Sequence, residues 1–110
     1  MKSPGFLGIA LLFLIAGSFV GTAHADRGIV VKRKSGCDYF VVYSSSGYAV
    51  LEWFGGYDPD EEDILVGTIN SYGMRDVHDE TADDDVTVWV EDYRVSRSKA
   101  MEILYEKCEE

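Results

Sequence analysis

Two acidic runs hold half of the 20 carboxylates in this sequence, the side chains best able to bind a cation or move a proton. Residues 58–63 (DPDEED) place five carboxylates in six positions, and residues 79–85 (DETADDD) place five in seven. Hard cations such as calcium take six to eight oxygen ligands, so runs of this density are the first place to look for a metal site. An EF-hand loop needs oxygen donors at positions 1, 3 and 5, Gly at 6 and Glu at 12. Counted from Asp58 the sixth and twelfth positions are Asp63 and Ile69, and counted from Asp79 they are Asp84 and Val90. Neither run is an EF-hand. A looser calcium site remains as an expectation, built from Asp58, Asp60 and Asp63 of the first run with Asp83 and Asp85 (or Asp84) of the second. It requires the two loops to meet in space. The competing expectation is a solvated acidic turn, made with Pro59, that delivers the chain into the strand ILVGTIN at 64–70.

Catalytic groups are sparse. His24 belongs to the leader described below, which leaves His78, flanked by carboxylates in DVHDE, as the one histidine after it. A Ser-His-Asp arrangement would have to use it. No serine lies in the G-x-S-x-G context of a nucleophile elbow. A small hydrolase using His78 or an acidic pair is the weakest of three readings, and the chain is expected to be non-catalytic.

The cysteines are read through the leader. Residues 1–25 (MKSPGFLGIALLFLIAGSFVGTAHA) have a basic start at Lys2, an apolar core from Phe6 to Gly17, and Ala-His-Ala at a signal-peptidase position. The apolar run is shorter than the ~18 to 20 residues that span a bilayer. A cleaved signal peptide is therefore expected over 1–25, with a single small domain over 26–110 and export to the periplasm or beyond. In an oxidising compartment Cys37 and Cys108 are expected to pair, stapling a domain too small to be comfortably stable alone.

Charge narrows the partners. All 20 acidic residues follow position 25 but only 9 of the 10 basic ones do, so the exported chain carries a net charge of −11. Such a surface repels nucleic acid and anionic lipid and favours a basic protein or peptide. The basic cluster Lys32-Arg33-Lys34 reads as an internal partner for the acidic loops. No membrane span is expected after signal removal. Aromatic side chains give large contact area with a polar tip, and Tyr48, Tyr57, Trp89 and Tyr93 are the candidate partner surface.

The elements that would position these groups follow from period. Alternating β-branched and aromatic runs predict strands over 28–34, 38–44, 47–54, 64–70, 74–78 and 86–90. Gly55-Gly56 is read as ending the third. In the sixth, Val86, Val88 and Val90 share one face and Thr87 and Trp89 the other. The third is apolar on both faces, with Ala49, Leu51 and Trp53 on one and Tyr48, Val50 and Phe54 on the other. After Ser96 the period changes to three and four. Ala100, Ile103, Leu104 and Cys108 form one helical stripe, capped by Ser96 or Ser98. The fold class is mainly β, a β-rich α+β arrangement. It is expected to be a small rolled antiparallel sheet or barrel of five to six strands with one C-terminal helix, or else an open sheet with the helix on one side.

Overall fold

The computed structural model describes residues 26–109. Residues 1–25, expected to be a signal peptide, lie outside the described residues. Six strands and one helix follow in order: β1 (Asp26–Arg33), β2 (Tyr39–Ser44), β3 (Gly47–Gly56), β4 (Ile64–Gly67), β5 (Gly73–Asp79), β6 (Asp84–Val95) and α1 (Arg97–Cys108). The strands close into an antiparallel barrel in the order β1-β2-β3-β6-β5-β4. The open sheet is therefore excluded. No described helix is long and apolar enough to cross a membrane.

Strands apolar on both faces need two apolar environments, and the barrel supplies them. Val30, Phe40, Val42, Ala49, Leu51, Leu65, Ile69, Val77, Val86, Val88 and Val90 fill its interior, with Trp53, Tyr57 and Tyr93 packed against them. On the outside of β2 and β3, Val41 and Val50 meet Ala100 and Leu104 of α1. A bulge between Val30 and Lys32 in β1 interrupts the alternation, and Val31 joins this second cluster.

The helix begins where a cap allows. Ser96 Oγ accepts a hydrogen bond from Lys99 N at 3.1 Å, satisfying one of the unpaired first-turn amides. Only Ala100 and Leu104 of α1 are fully buried, and a buried leucine contributes about 2 kcal/mol. So small a docking surface needs help. The Cys37–Cys108 disulfide, with Cα atoms 5.6 Å apart across a 71-residue separation, ties the last turn of the helix to the residue pair preceding β2. The bridge also fits an oxidising, exported environment.

Several strand ends differ from the sequence expectation, most in β3, β4 and β6. β3 continues through Gly55-Gly56 because Gly56 adopts φ +78° and packs so closely on β6 that a Cβ would lie 2.5 Å from Asp85 O. β4 stops at Gly67, three residues early. There φ is +154° and a Cβ would meet Val77 Cγ1 at 2.8 Å, so the chain turns inward and Ile69 enters the core. β6 is longer than expected, reaching Val95, because bulges on β3 let the two strands stay paired from Gly56↔Val86 to Tyr48↔Val95. The polar loop of 79–85 correspondingly shrinks to a four-residue turn between β5 and β6.

Candidate functional site

The two acidic runs meet at one end of the barrel. Ile64 N donates to Thr81 Oγ1 at 3.0 Å, Glu80 N to Ile64 O at 2.8 Å, and Tyr57 N to Asp85 O at 3.0 Å. The first run is not simply a solvated turn. Glu62 N donates to Val30 O and Val30 N to Asp63 O, at 2.7 and 2.9 Å, so its last residues extend the sheet against β1. Within the turn, Asp63 N donates to Asp60 O, and Asp60 N donates to Asp63 Oδ2, both at 3.1 Å.

Most carboxylates here have an internal partner. Arg33, stacked over the Phe40 ring, reaches Asp58 Oδ1 with Nη2 at 2.8 Å, while its backbone N donates to Glu61 Oε2 at 2.9 Å. Of the basic cluster, Arg33 serves the acidic loop, whereas Lys34 lies over the Tyr105 ring. His78 holds Asp85 through Nδ1 at 2.8 Å and Asp83 through Nε2 at 3.0 Å. Those two hydrogen bonds, Asp85's first, raise its pKa against the opposing effect of burial. A general base needs one ring nitrogen facing a nucleophile. Both nitrogens of His78 face carboxylates, which makes the ring a clamp across the β5–β6 turn that its protonated form strengthens.

Asp63 and Asp79 differ from the rest because they are buried. Asp79, with no exposed surface, accepts a hydrogen bond from Ala82 N at Oδ1, whereas its Oδ2 has no donor among the described protein groups. Burial, and then the adjoining Asp63 carboxyl, push its pKa from the ordinary 3.8 up to about 6. A proton on Asp79 supplies the missing hydrogen bond by donating to Asp63. The same acidic neighbourhood acts on Tyr57, whose pKa is raised by burial and then by Asp63, Asp60, Asp79 and Asp58.

The five carboxylates considered for calcium thus sit at one end of the barrel but in different surroundings. Asp58 is on Arg33, Asp60 and Asp63 share a turn, and Asp83 and Asp85 are on His78. Among the described residues, no group of three or more His, Cys, Asp or Glu side chains converges closely enough to hold a metal ion.

A second region has a different character. α1 covers β2 and β3, whereas Trp89 and Met74 on the outer face of β6 and β5 stay open. Trp89 registers against Glu52 on β3 and Met74 on β5. On β3, Phe54 alternates with inward Leu51 and Trp53 and so faces outward, at the bulge between Trp53 and Gly55. Phe54, Met74 and Trp89 are 54%, 47% and 37% exposed. Carboxylates border them. Asp76 sits opposite Thr87, whose Oγ1 donates to Asp76 Oδ1 at 2.8 Å, and Glu52 lies across from Trp89. Glu52 accepts the hydroxyl of Tyr39, whose pKa burial and then this bond push up to about 12.

Of the four aromatics expected to form a partner surface, Trp89 alone lies in this open row. Tyr48 packs under the helix and against Tyr43, with ring centroids 4.8 Å apart. Tyr57 packs on the barrel core at the acidic end. Tyr93 also packs on the core and meets Tyr72 edge-on at 4.8 Å. Sequence reasoning missed Phe54 and Met74 as surface residues. For Met74 the alternation with inward Val77 and Asp79 carried the signal. For Phe54 the alternation that set it opposite Ala49, Leu51 and Trp53 carried the signal.

Comparison of the chain with protein-family models, with curated proteins and with solved structures returns no match.

Proposed function

We propose that this protein is a small exported, non-catalytic binding module that docks a basic protein or peptide on the Trp89 face. One observation carries the reading: the open cross-strand pair Trp89 and Met74, with exposed Phe54 two residues beyond Glu52 on the adjoining strand, bordered by Glu52 and Asp76, on a chain with net charge −10. The aromatic and thioether groups supply contact area, and Trp is the side chain most enriched among residues that dominate interface energy. Carboxylates at the border steer a cationic partner and accelerate encounter. A guanidinium stacked on Trp89 would also gain cation–π attraction. Export is proposed on the leader-like residues and the disulfide together, with the periplasm or the cell exterior as the compartment.

The test is titration of the oxidised protein with a cationic protein such as lysozyme and with an arginine-rich peptide, against acidic and neutral controls. Saturable binding of a cationic probe, weakened by salt and by Trp89→Ala, is the expected result. Binding that is absent at low salt, or is unchanged by W89A, would remove the basis of this reading.

A further inference from the structure

The barrel is closed unevenly. β5 is in register with β6 along its whole length, from Gly73↔Val90 to Asp79↔Asp84. On its other side it meets β4 at two positions only, Leu65↔Asp79 and Val66↔His78. The cause is Gly67. Where β4 would continue beside β5, the chain turns inward over Val77 and sends Ile69 into the core. The following residues, 68–72, contribute no backbone hydrogen bond outside the regular elements among the described residues. Gly73 to Asp76 therefore face no strand on that side.

In an antiparallel pair, alternate residues turn their N–H and C=O groups away from the partner. A strand with no neighbour presents them as a template for another chain. Gly73-Met74-Arg75-Asp76 has no proline and no lysine, and its one outward charge is the carboxylate of Asp76, which repels an acidic strand and attracts a basic one. Arg75 is turned back onto Ser71 Oγ and Tyr72 O, both at 2.6 Å. The outward side chains are Met74, half exposed, and Asp76, beside Trp89 and Thr87 of β6.

Charge chooses among occupants. A second copy of this chain pairing edge to edge would bring another Asp76 and another acidic surface against the first. A basic strand meets opposite charge instead. We infer that the Gly73–Asp76 edge of β5 takes up an extended basic peptide segment by strand addition, continuing the sheet next to the Trp89 face. Backbone hydrogen bonds supply the affinity and the alternate side chains supply the selection. The segment would carry a Lys or Arg beside Asp76 and an apolar side chain beside Met74, two residues apart so that both point outward. This inference rests on the proposed binding of a basic partner and names its conformation and contact strand.

The experiment leaves the protein intact. A short peptide alternating arginine with leucine is titrated into the oxidised protein, alongside the same peptide N-methylated at the amides of one edge and its isomer methylated at the other. Amide hydrogen exchange is followed across β5. Strand addition predicts that one methylated isomer binds at least tenfold more weakly while the other is unaffected, and that protection rises within Gly73–Asp76. Equal binding of all three peptides, or protection elsewhere with β5 unchanged, overturns strand addition while leaving the Trp89 face as a binding surface. If no cationic peptide or protein binds, both readings fail together.

Discussion

At the acidic end of the barrel, carboxylates are dense and largely occupied. Asp58 has Arg33, Asp83 and Asp85 have His78, Asp63 accepts from a backbone amide of its own turn, and Asp79 is sealed against Asp63. On the Trp89 face, ionisable groups are few, but three large apolar side chains stand in water without an internal partner. The contrast shows how charge density can mislead. A run such as DPDEED holds two loops and a strand together, and its interactions are spent on the fold. A sparse row that the fold leaves uncovered retains its free energy for a partner.

The largest expected effect comes from undoing what makes the two outer faces of the barrel different. α1 covers β2 and β3 with two fully buried residues and a disulfide. Replacing both cysteines with serine should cost about 4 kcal/mol in the loop-entropy description of a 71-residue separation. The uncovered Val41 and Val50 should then bind a hydrophobic dye. Chemical denaturation with and without the dye checks both.

Next is the buried pair. The folded protein holds the Asp79 proton more tightly than the unfolded chain does, so the stability it contributes is fully present below its ordinary pKa of 3.8 and is lost as pH rises through about 6. Asp79→Asn keeps a donor facing Asp63 at every pH. It should raise stability by about 3 kcal/mol at about pH 8 and converge with the parent near pH 4. Denaturation midpoints across that range measure it, and affinity for a cationic probe should be unaffected.

Trp89→Ala should show the converse: a loss of at least tenfold in affinity, about 1.4 kcal/mol, with stability changed by less than that. Met74→Ala and Phe54→Ala should weaken binding less. His78→Gln gives the smallest change and a distinct pH window. The raised pKa means that the clamp's contribution is present below about 6.5 and is lost as pH rises through the folded value. The variant should therefore fall furthest below the parent in mildly acidic solution and approach it in alkaline solution, which thermal unfolding at both pH values would show.

Much of this architecture was legible because it follows from local pattern. The period-two runs gave the strands, the two apolar faces of 47–54 called for two cores, and the stripe from Ala100 to Cys108 placed the helix and its bridge. What the sequence hid depends on partners distant along the chain. A glycine inside ILVGTIN marks a bulge or close backbone approach, but nothing local says that the approach is to Val77 or that the strand ends there. The burial of Asp79 is equally opaque, since DETADDD reads as uniformly wet until β4 covers its first residue through Leu65↔Asp79. Alternation in VTVWV did separate Trp89 from the core valines. Alternation in 47–54 likewise set Phe54 opposite Leu51 and Trp53, but did not say that α1 would cover Val50 and leave Phe54 bare.

The central claim is that function lies on the sparse face and the dense acidic end serves the fold. Calorimetric titration of one cationic protein into the parent, W89A and Asp58→Asn/Asp60→Asn, each confirmed as folded, tests it most directly. The account predicts that W89A loses at least tenfold in affinity and that the double variant changes it by only a few-fold through net charge. The reverse ranking, with W89A binding as the parent does and the acidic-loop variant losing its partner, would contradict it.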